Sequence, residues 1–286
     1  MKEVAKGFEQ NCRCGVFRGC IGAVDGWLVK INQPCRKDGV TQPGDFFSRK
    51  GFFAINVQVI VDRFKRVLYK SILCRGAEHD SSAFKASDIH PVLMEKRELL
   101  EKECLYFIGD SAYALRSFLV TPYDNAVHGD GEDNFNFYHS SSRIVVECTF
   151  GEVDMRWGIF WKPLKFSLEK NALIIDASLR LHNFIVNSRM QTLLHNDDVE
   201  ARSDLDIHRQ DIATHRVQNP MGAHGVYGGE EEVRLDTQRG RPLQQEVEAN
   251  MKEKEIRDNI KREISSGNWV RPATNWYRDQ NRTVMQ

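Results

Sequence analysis

The chain lacks the features of a disulfide-stapled secreted protein and those of a membrane protein. Its seven cysteines are an odd number without CxxC spacing, which indicates a reducing compartment. Cys12, Cys14 and Cys20 cluster near the start, but no Cys or His pair follows at zinc-finger spacing, so thiols that are buried or without a function are the better interpretation. No run of about eighteen apolar residues occurs, and the amino terminus, MKEVAKGFEQ, is charged where a signal peptide would be apolar. We therefore expect a protein that is neither membrane-spanning nor exported.

The chain also lacks net charge, because its 40 Lys and Arg balance its 40 Asp and Glu. This balance neither requires nor excludes a nucleic-acid partner. The distribution is more informative, since residues 30–75 carry ten Lys and Arg against three Asp, a local excess of seven positive charges. Such an excess suits a surface that faces phosphate groups, although exposed strand edges also collect Lys.

The composition changes near residue 189. Before that point apolar segments alternate with turn signals, whereas residues 190–243 are polar with few apolar anchors, as in a flexible linker. The charged pattern of residues 244–264 predicts a surface helix, and Trp269, Trp276 and Tyr277 after it are candidates for docking onto the main domain. We predict these divisions: a helical remnant at 1–19, the main domain at 20–189, a linker at 190–243 and a helical and aromatic segment at 244–286.

The main domain shows the order β-β-β-α-β-α-loop-α. Strand patterns cover residues 22–31, 52–61, 67–74 and 105–109. Helical patterns cover residues 81–103, 111–119 and 141–156, with Asp80 or Ser81 and Ser141 or Ser142 as the N-caps of the first and third. Three meandering strands followed by helix, strand and helix predict an α/β fold of the ribonuclease-H-like (retroviral-integrase-like) type. Its mixed sheet is flanked by helices, and we expect a partly disordered C-terminal tail.

Three carboxylates occupy three different settings in this order. Asp25 ends the first apolar run, Asp110 ends the fourth strand, and Glu147 lies within a helical stretch. Acids placed in this way can converge on one pocket, where three hard oxygen donors suit Mg²⁺ or Mn²⁺ and phosphoryl transfer. Each acid alone has an ordinary explanation as a turn or surface residue. Both aspartates, however, follow apolar runs, where an unpaired carboxylate is costly.

In six blocks the chain resembles the DDE domain of PIF/Harbinger-type transposases and of the nucleases derived from them. The blocks are GCIGAVDGW, FFSRKGFFAINVQVIVD, RGAEHDSSAF, FIGDSAY, SSRIVVECTFGEVDMRW and LRLHNFI, within about residues 15–190. Each block is weak alone, and their shared order and spacing make the resemblance specific. It implies that residues 20–189 form a DDE endonuclease domain. Asp25, Asp110 and Glu147 would be its catalytic acids and the ligands of two divalent ions, Mg²⁺ or Mn²⁺.

The resemblance also assigns roles to residues around the acids. Arg49 and Lys50 match an Arg-Lys-Gly block, and Arg143 lies one helical turn before the glutamate, so all three are placed to hold phosphate by charge. His79 and Asp80 are candidates for supporting the acids or for contacting DNA. A helix cap would explain Asp80, and a surface position would explain His79, without any chemistry.

One further match has a simpler interpretation, and two features of the chain depart from the family. The block Leu181-His182-Asn183-Phe184 matches the family, but a helix packing on the core explains it. Asp154 stands where many relatives have Lys, which would remove a positive charge beside the acids. Only about nineteen residues precede the first block, whereas family members usually carry a helical, often DNA-binding, region there. We therefore expect recognition of transposon ends to need another protein.

These features predict a metal-dependent DNA endonuclease of transposase descent that hydrolyses phosphodiester bonds by a two-metal mechanism. The alternative is a catalytically silent, domesticated transposase that acts as a nuclear DNA- or protein-binding module. The intact triad favours the enzyme, and the short amino-terminal region favours the module. A second enzymatic alternative, which the sequence does not separate from the first, is a nuclease that acts on RNA or on generic DNA structures. The expected partners are DNA, a separate DNA-binding targeting protein and a second copy of the chain, with no membrane. The expected location is the nucleus, with the cytoplasm second.

Overall fold

The structure is a computed structural model that describes residues 2–11, 15–195 and 244–271. The strands are β1 (Cys20–Lys30), β2 (Ala54–Val61), β3 (Val67–Arg75), β4 (Tyr106–Ile108) and β5 (Leu119–Val120). The helices are α1 (Lys2–Asn11), α2 (Asp80–Ala86), α3 (Ile89–Glu95), α4 (Arg97–Lys102), α5 (Gly131–Arg156), α6 (Leu168–His195) and α7 (Gln244–Ser266). Among these described residues, no helix has the length and apolar character needed to cross a membrane.

The five strands form one mixed sheet in the order β3-β2-β1-β4-β5. The first three strands are an antiparallel meander, and β4 and β5 run parallel to β1. This arrangement confirms the predicted ribonuclease-H-like fold. It also makes β1 the central strand, so that a residue on β1 can meet residues from both the meander and the parallel half.

Apolar side chains cover both faces of the sheet, because successive residues of a strand point to opposite sides. On β2, Ile55, Val57 and Val59 belong to the core under the long helices α5 and α6, whereas Ile60 belongs to a second core under the short helices α1 to α4. The site is therefore built on a sheet that is packed from both sides, which limits the movement of its strands.

Two predicted helices differ from the structure. The stretch 81–103 forms the three short helices α2, α3 and α4, with breaks at Ser87 and Lys96. No helix covers 111–119; this segment is a loop that ends in β5, where Leu119 and Val120 pair with the end of β4. The helix prediction was wrong because the end of this segment pairs with β4, and local periodicity does not encode such a tertiary contact.

The long helix α5 begins earlier than predicted. It starts at Gly131, not at residue 141, and its N-cap is Asp130, whose side chain accepts a hydrogen bond from the backbone N–H of Asp133 at 2.7 Å. Ser142 does not cap the helix, because its hydroxyl donates to the carbonyl of Tyr138 at 2.9 Å within the helix interior. The additional turns carry the buried side chain of Phe135, so packing extends the helix through a stretch of weak helix formers.

Helix α7 packs against this extended part of α5. Ile260 and Ile264 are buried in the main core, at 5% and 0% exposure. The indole of Trp269 lies edge-on to Tyr138, with ring centroids 6.2 Å apart, as the predicted docking requires. Trp276, Tyr277 and the greater part of the predicted linker lie outside the described residues. The predicted division of the chain into segments stays a prediction.

The block around His182 packs on the core, as its simpler interpretation holds. The ring of His182 lies 2.8 Å from the carbonyl oxygen of Lys65 through Nε2 and 2.9 Å from Arg156 Nη1 through Nδ1. The amide of Asn183 bonds both the N–H and the C=O of Val67, at 2.7 and 2.8 Å. These bonds fix α6 to the turn between β2 and β3.

Protonation of His139 is expected to destabilise the fold in mild acid. This ring stacks on Phe135 and bonds the carbonyl of Val120 at 3.1 Å, and burial lowers the pKa of His139 to about 4. Between its unfolded pKa of about 6.5 and about 4, only the unfolded state takes up the proton, so stability falls as the pH falls. We expect a loss of about 2 kcal/mol between about pH 7 and about pH 5.

The free energy of unfolding, measured by denaturant titration at both pH values, tests this expectation. The variant His139→Gln should lose less stability on acidification than the wild type. His128, whose side chain is 83% exposed, supplies the matched control His128→Gln, which should follow the wild type. Equal acid sensitivity of wild type and His139→Gln would show that other groups govern the acid response.

Candidate active site

Arg143 joins two of the three predicted acids. Its Nη1 donates to Asp25 Oδ2 at 2.8 Å, and its Nη2 donates to Glu147 Oε1 at 2.7 Å. Arg143 and Glu147 are four residues apart on α5, so their side chains share one helix face. That face crosses β1 at Asp25, which lies in the middle of the strand and not at its end.

Asp110 follows the neighbouring parallel strand. Ala23 of β1 lies opposite Ile108 of β4, so two further residues along each strand lead to Asp25 and Asp110. The backbone N–H of Ala112 donates to Asp110 Oδ1 at 3.0 Å, which fixes the carboxylate within the turn after β4. Two neighbouring strands thus bring both aspartates to the same region of the sheet.

The two aspartates crowd negative charge at a partly buried place. Burial raises the pKa of Asp25 to about 7 against the opposing charge of Arg143, and the charge of Asp110 adds to the increase. Burial also raises the pKa of Asp110, again against Arg143. The side chains of Asp25 and Arg143 are 17% and 15% exposed, and that of Glu147 is 36% exposed. Cationic partners are therefore favoured at this site.

The donor set fits a hard divalent cation by its chemistry. Asp25, Asp110 and Glu147 offer carboxylate oxygens, the ligands that Mg²⁺ and Mn²⁺ prefer. Their neighbourhood raises the pKa of both aspartates, which is a cost that a bound cation would relieve. Within residues 2–11, 15–195 and 244–271, however, no three His, Cys, Asp or Glu side chains are grouped closely enough to hold a metal ion. In this arrangement Asp25 and Glu147 bind the guanidinium of Arg143.

Of the other predicted site residues, Asp80 is buried, whereas His79, Arg49 and Lys50 are exposed. Asp80 is buried at the start of α2, and its carboxylate accepts hydrogen bonds from Asn56, Gln58 and Arg49, so it does not cap the helix as predicted. The N-cap position belongs to the exposed His79, without a side-chain capping bond. The side chain of Arg49 is 64% exposed, and its neighbour Lys50 is exposed as well.

Three further residues of this region, Asn56, Gln58 and Tyr113, were not predicted from the sequence. Asn56 and Gln58 are 1% and 0% exposed, and the hydroxyl of Tyr113 donates to Gln58 Oε1 at 2.8 Å. A signal was present, because two amides alternate with apolar residues in an otherwise apolar strand, which puts both on one buried face. Such a pair needs polar partners, and here the partner is Asp80.

Asp154 belongs to a different part of α5. It lies seven residues after Glu147, and its neighbours are Trp27 and Lys30. Burial raises the pKa of Asp154 to about 6, opposed by the charge of Lys30 and by a hydrogen bond from the Trp27 side chain. The expectation that this residue alters the charge beside the three acids is therefore replaced by a role next to Lys30.

The fold and the site define a class of protein. A five-stranded mixed sheet with acids on the first strand, after the fourth strand and on a crossing helix has the architecture of ribonuclease-H-like nuclease domains. The sequence profile of one such family, described as DDE superfamily endonuclease, matches residues 24–183. Because this match covers more than half of the chain, the chain belongs to the DDE superfamily endonucleases.

Its curated relatives are transposase-derived proteins of the Harbinger type. The chain is 27% identical to Protein ALP1-like of Arabidopsis thaliana over 190 residues, which cover 61% of this chain and 45% of that protein. It is 27% identical to Putative nuclease HARBI1 of Bos taurus and 26% identical to that of Homo sapiens, each over 175 residues that cover 60% of this chain and 47% of the relative. The chain thus spans about half the length of these relatives. No solved structure matches it.

Proposed function

We propose that this protein is a metal-dependent DNA endonuclease that hydrolyses phosphodiester bonds by a two-metal mechanism. The observation that supports the proposal most directly is the meeting of three acids from distant parts of the chain around one arginine. Arg143 binds Asp25 and Glu147, and its charge acts on Asp110. Carboxylates are costly at a partly buried place unless their charge has a use, and metal binding supplies one.

Each residue has a distinct part in this proposal. Asp25, Asp110 and Glu147 would hold two divalent ions, Mg²⁺ or Mn²⁺, which supply Lewis acidity and an activated nucleophile when bound. The backbone N–H groups of Gly26 and Ala112 donate to the two aspartates, at 2.8 and 3.0 Å, and orient their carboxylates. The protein thereby contributes fixed positions and charge, which are the main requirements of phosphoryl transfer.

Exposed cationic side chains support DNA as the substrate. Arg49 and Lys50 lie in the loop before β2 and are exposed, as is His79. Burial raises the pKa of Asp110, and the charge of Arg49 acts in the opposite direction, so Arg49 lies within electrostatic reach of that acid. A phosphate held by Arg49 and Lys50 would therefore lie near the acids.

The silent binding module is the second candidate, and one observation favours it. Arg143 forms an ion pair with both Asp25 and Glu147, and a domain without metal would need such an internal cation. The endonuclease would act on DNA, whereas the silent module would bind DNA or protein, and for both we propose the nucleus as the main location, with the cytoplasm second. We further propose a separate DNA-binding protein for targeting and self-association of the chain.

Nicking of supercoiled DNA by the purified chain with Mn²⁺ separates the two candidates. The wild type is expected to nick and Asp110→Asn is expected to be inactive, because this change removes one ligand charge and keeps the size of the side chain. Asp124, an exposed acid, supplies the control Asp124→Asn, which should nick like the wild type. No nicking by folded wild-type protein would favour the binding module, and equal nicking by Asp110→Asn would exclude the proposed site.

A further inference from the structure

We propose that Asp80 is a positioning residue, which fixes the backbone segments that carry Asp25 and Asp110 through a buried polar network. The network consists of Asn56, Gln58, Asp80 and Tyr113. Its four side chains come from two strand positions on β2, the start of α2 and the loop after β4. The inference rests on the proposed function, because it gives the network a task in the same metal site.

The carboxylate of Asp80 is the centre of the network. Its Oδ1 accepts from Asn56 Nδ2 at 2.9 Å and from Gln58 Nε2 at 3.1 Å, and its Oδ2 accepts from Arg49 Nη2 at 3.3 Å. Gln58 Nε2 also donates to Asn56 Oδ1 at 2.9 Å. The Asp80 side chain is 11% exposed, so these bonds compensate a carboxylate that is largely removed from water. Such bonds hold the group in one orientation.

The network touches β1 at the residue next to Asp25. A Cβ atom on Gly26 would lie 2.1 Å from Asp80 Oδ1 and 2.9 Å from Gln58 Nε2. Only glycine leaves room for this approach, so the carboxylate of Asp80 packs directly against the backbone of β1. Since neighbouring residues of a strand face opposite sides, Asp25 projects from the other face at the same place. A shift of Asp80 would therefore reach Asp25 across a single peptide unit.

The same network holds the loop that carries Asp110. Tyr113 is 4% exposed, and its hydroxyl donates to Gln58 Oε1 at 2.8 Å. Its backbone N–H donates to the carbonyl of Asp110 at 3.3 Å, which closes the turn after β4. Burial and the charges of Asp25, Asp80 and Asp110 raise the pKa of Tyr113 well above its usual value, so this phenol stays a donor. The same polar network thus contacts the backbone beside Asp25 and holds the turn that carries Asp110.

The experiment measures Mn²⁺ binding to the free protein by calorimetry, beside the nicking rate. We expect Asp80→Asn to weaken Mn²⁺ binding by about 10- to 100-fold, the range for partners that orient metal ligands. Tyr113→Phe should act in the same direction but more weakly, because it removes only the link to the Asp110 loop. Both variants should lower kcat, and Tyr113→Phe, which leaves the bond between Arg49 and Asp80 in place, should not change the KM for DNA. Asp88, an exposed acid that bonds the hydroxyl of Tyr69, supplies the control Asp88→Asn.

A network that only stabilises the fold would change the melting temperature and leave the affinity of the folded protein for Mn²⁺ unchanged. Wild-type Mn²⁺ affinity in both variants would therefore overturn the inference. If Asp80→Asn does not fold, Tyr113→Phe tests the network by itself, because it cuts the link between the network and the Asp110 loop and leaves the Asp80 carboxylate with all its bonds. If the wild type neither binds Mn²⁺ nor nicks DNA, the proposed function fails; a wild type that does both, beside unaffected variants, refutes the positioning role alone.

Discussion

Replacing Asp25 by Asn is expected to abolish nicking while leaving the fold as stable as the wild type or more stable. Loss of one metal-binding charge should lower the rate by about 10³-fold or more. Stability follows the opposite rule. Burial raises the pKa of Asp25 to about 7, so this carboxyl group stabilises the folded protein only while it is protonated there. That contribution is lost as the pH rises from the pKa of the unfolded state to about 7. Above about pH 7 the group is ionised in the folded protein as well, and its burial then costs stability in full.

The nicking rate and the melting temperature, measured together at about pH 8 and about pH 4, test the Asp25 prediction. Asp25→Asn should melt no lower than the wild type at the higher pH, and any advantage should shrink at the lower pH, where both proteins carry a neutral group. The exposed-acid variant Asp124→Asn should keep its activity and show no such pH-dependent difference. A marked loss of stability in Asp25→Asn at the higher pH would show that the ion pair with Arg143 outweighs burial.

Removing Arg143 is expected to have the largest effect on stability. Its guanidinium is the cation bound by both Asp25 and Glu147, and its side chain is 15% exposed. Arg143→Gln leaves these acids and Asp110 without that cation. Breaking a buried pair from one side costs about 3 kcal/mol or more, so we expect a loss of this size in the absence of divalent ions.

Mn²⁺ should restore part of this loss, because a divalent cation bound to the folded state takes over the charge of the missing guanidinium. The melting temperature of Arg143→Gln should therefore rise more on addition of Mn²⁺ than that of the wild type. Arg180, 74% exposed and paired with Asp176 on α6, supplies the control Arg180→Gln, for which we expect a loss below about 1 kcal/mol and the same response to Mn²⁺ as the wild type. An Mn²⁺ response of Arg143→Gln equal to that of the wild type would argue against a metal site beside Arg143.

The two arginine roles, charge balance inside the protein and phosphate binding, are separable. Arg143 is engaged with two acids, whereas Arg49 binds Asp80 through one nitrogen and is 64% exposed. We therefore propose charge balance at the acids as the role of Arg143 and phosphate contact as the role of Arg49. Arg49 also connects the proposed DNA surface to the Asp80 network, so a phosphate bound there would act close to the support of Asp25 and Asp110.

Local patterns were sufficient where a segment follows one period and packs as that period requires. The apolar runs of β1, β2 and β3 predicted strands close to their observed bounds, and the turn between β2 and β3 predicted the meander. They were insufficient where packing overrides propensity. The first turns of α5 contain Asn, Ser and His, which are weak helix formers, yet these turns are helical because the side chains of Phe135 and Tyr138 are buried in the core. The two residues of β5 form a strand only because β4 lies beside them.

The sequence by itself determined the family, the order of the first four strands and the identity of the three candidate acids, because family blocks and periodicity are properties of the chain. The tertiary structure alone decided which groups surround those acids. The pairing of Arg143 with Asp25 and Glu147, and the enclosure of Asp80 by Asn56 and Gln58, join residues between 22 and 118 positions apart, apart from the local Arg143–Glu147 pair. Such contacts arise because burial of charge demands a partner wherever the fold brings one within reach, and sequence separation does not limit that choice.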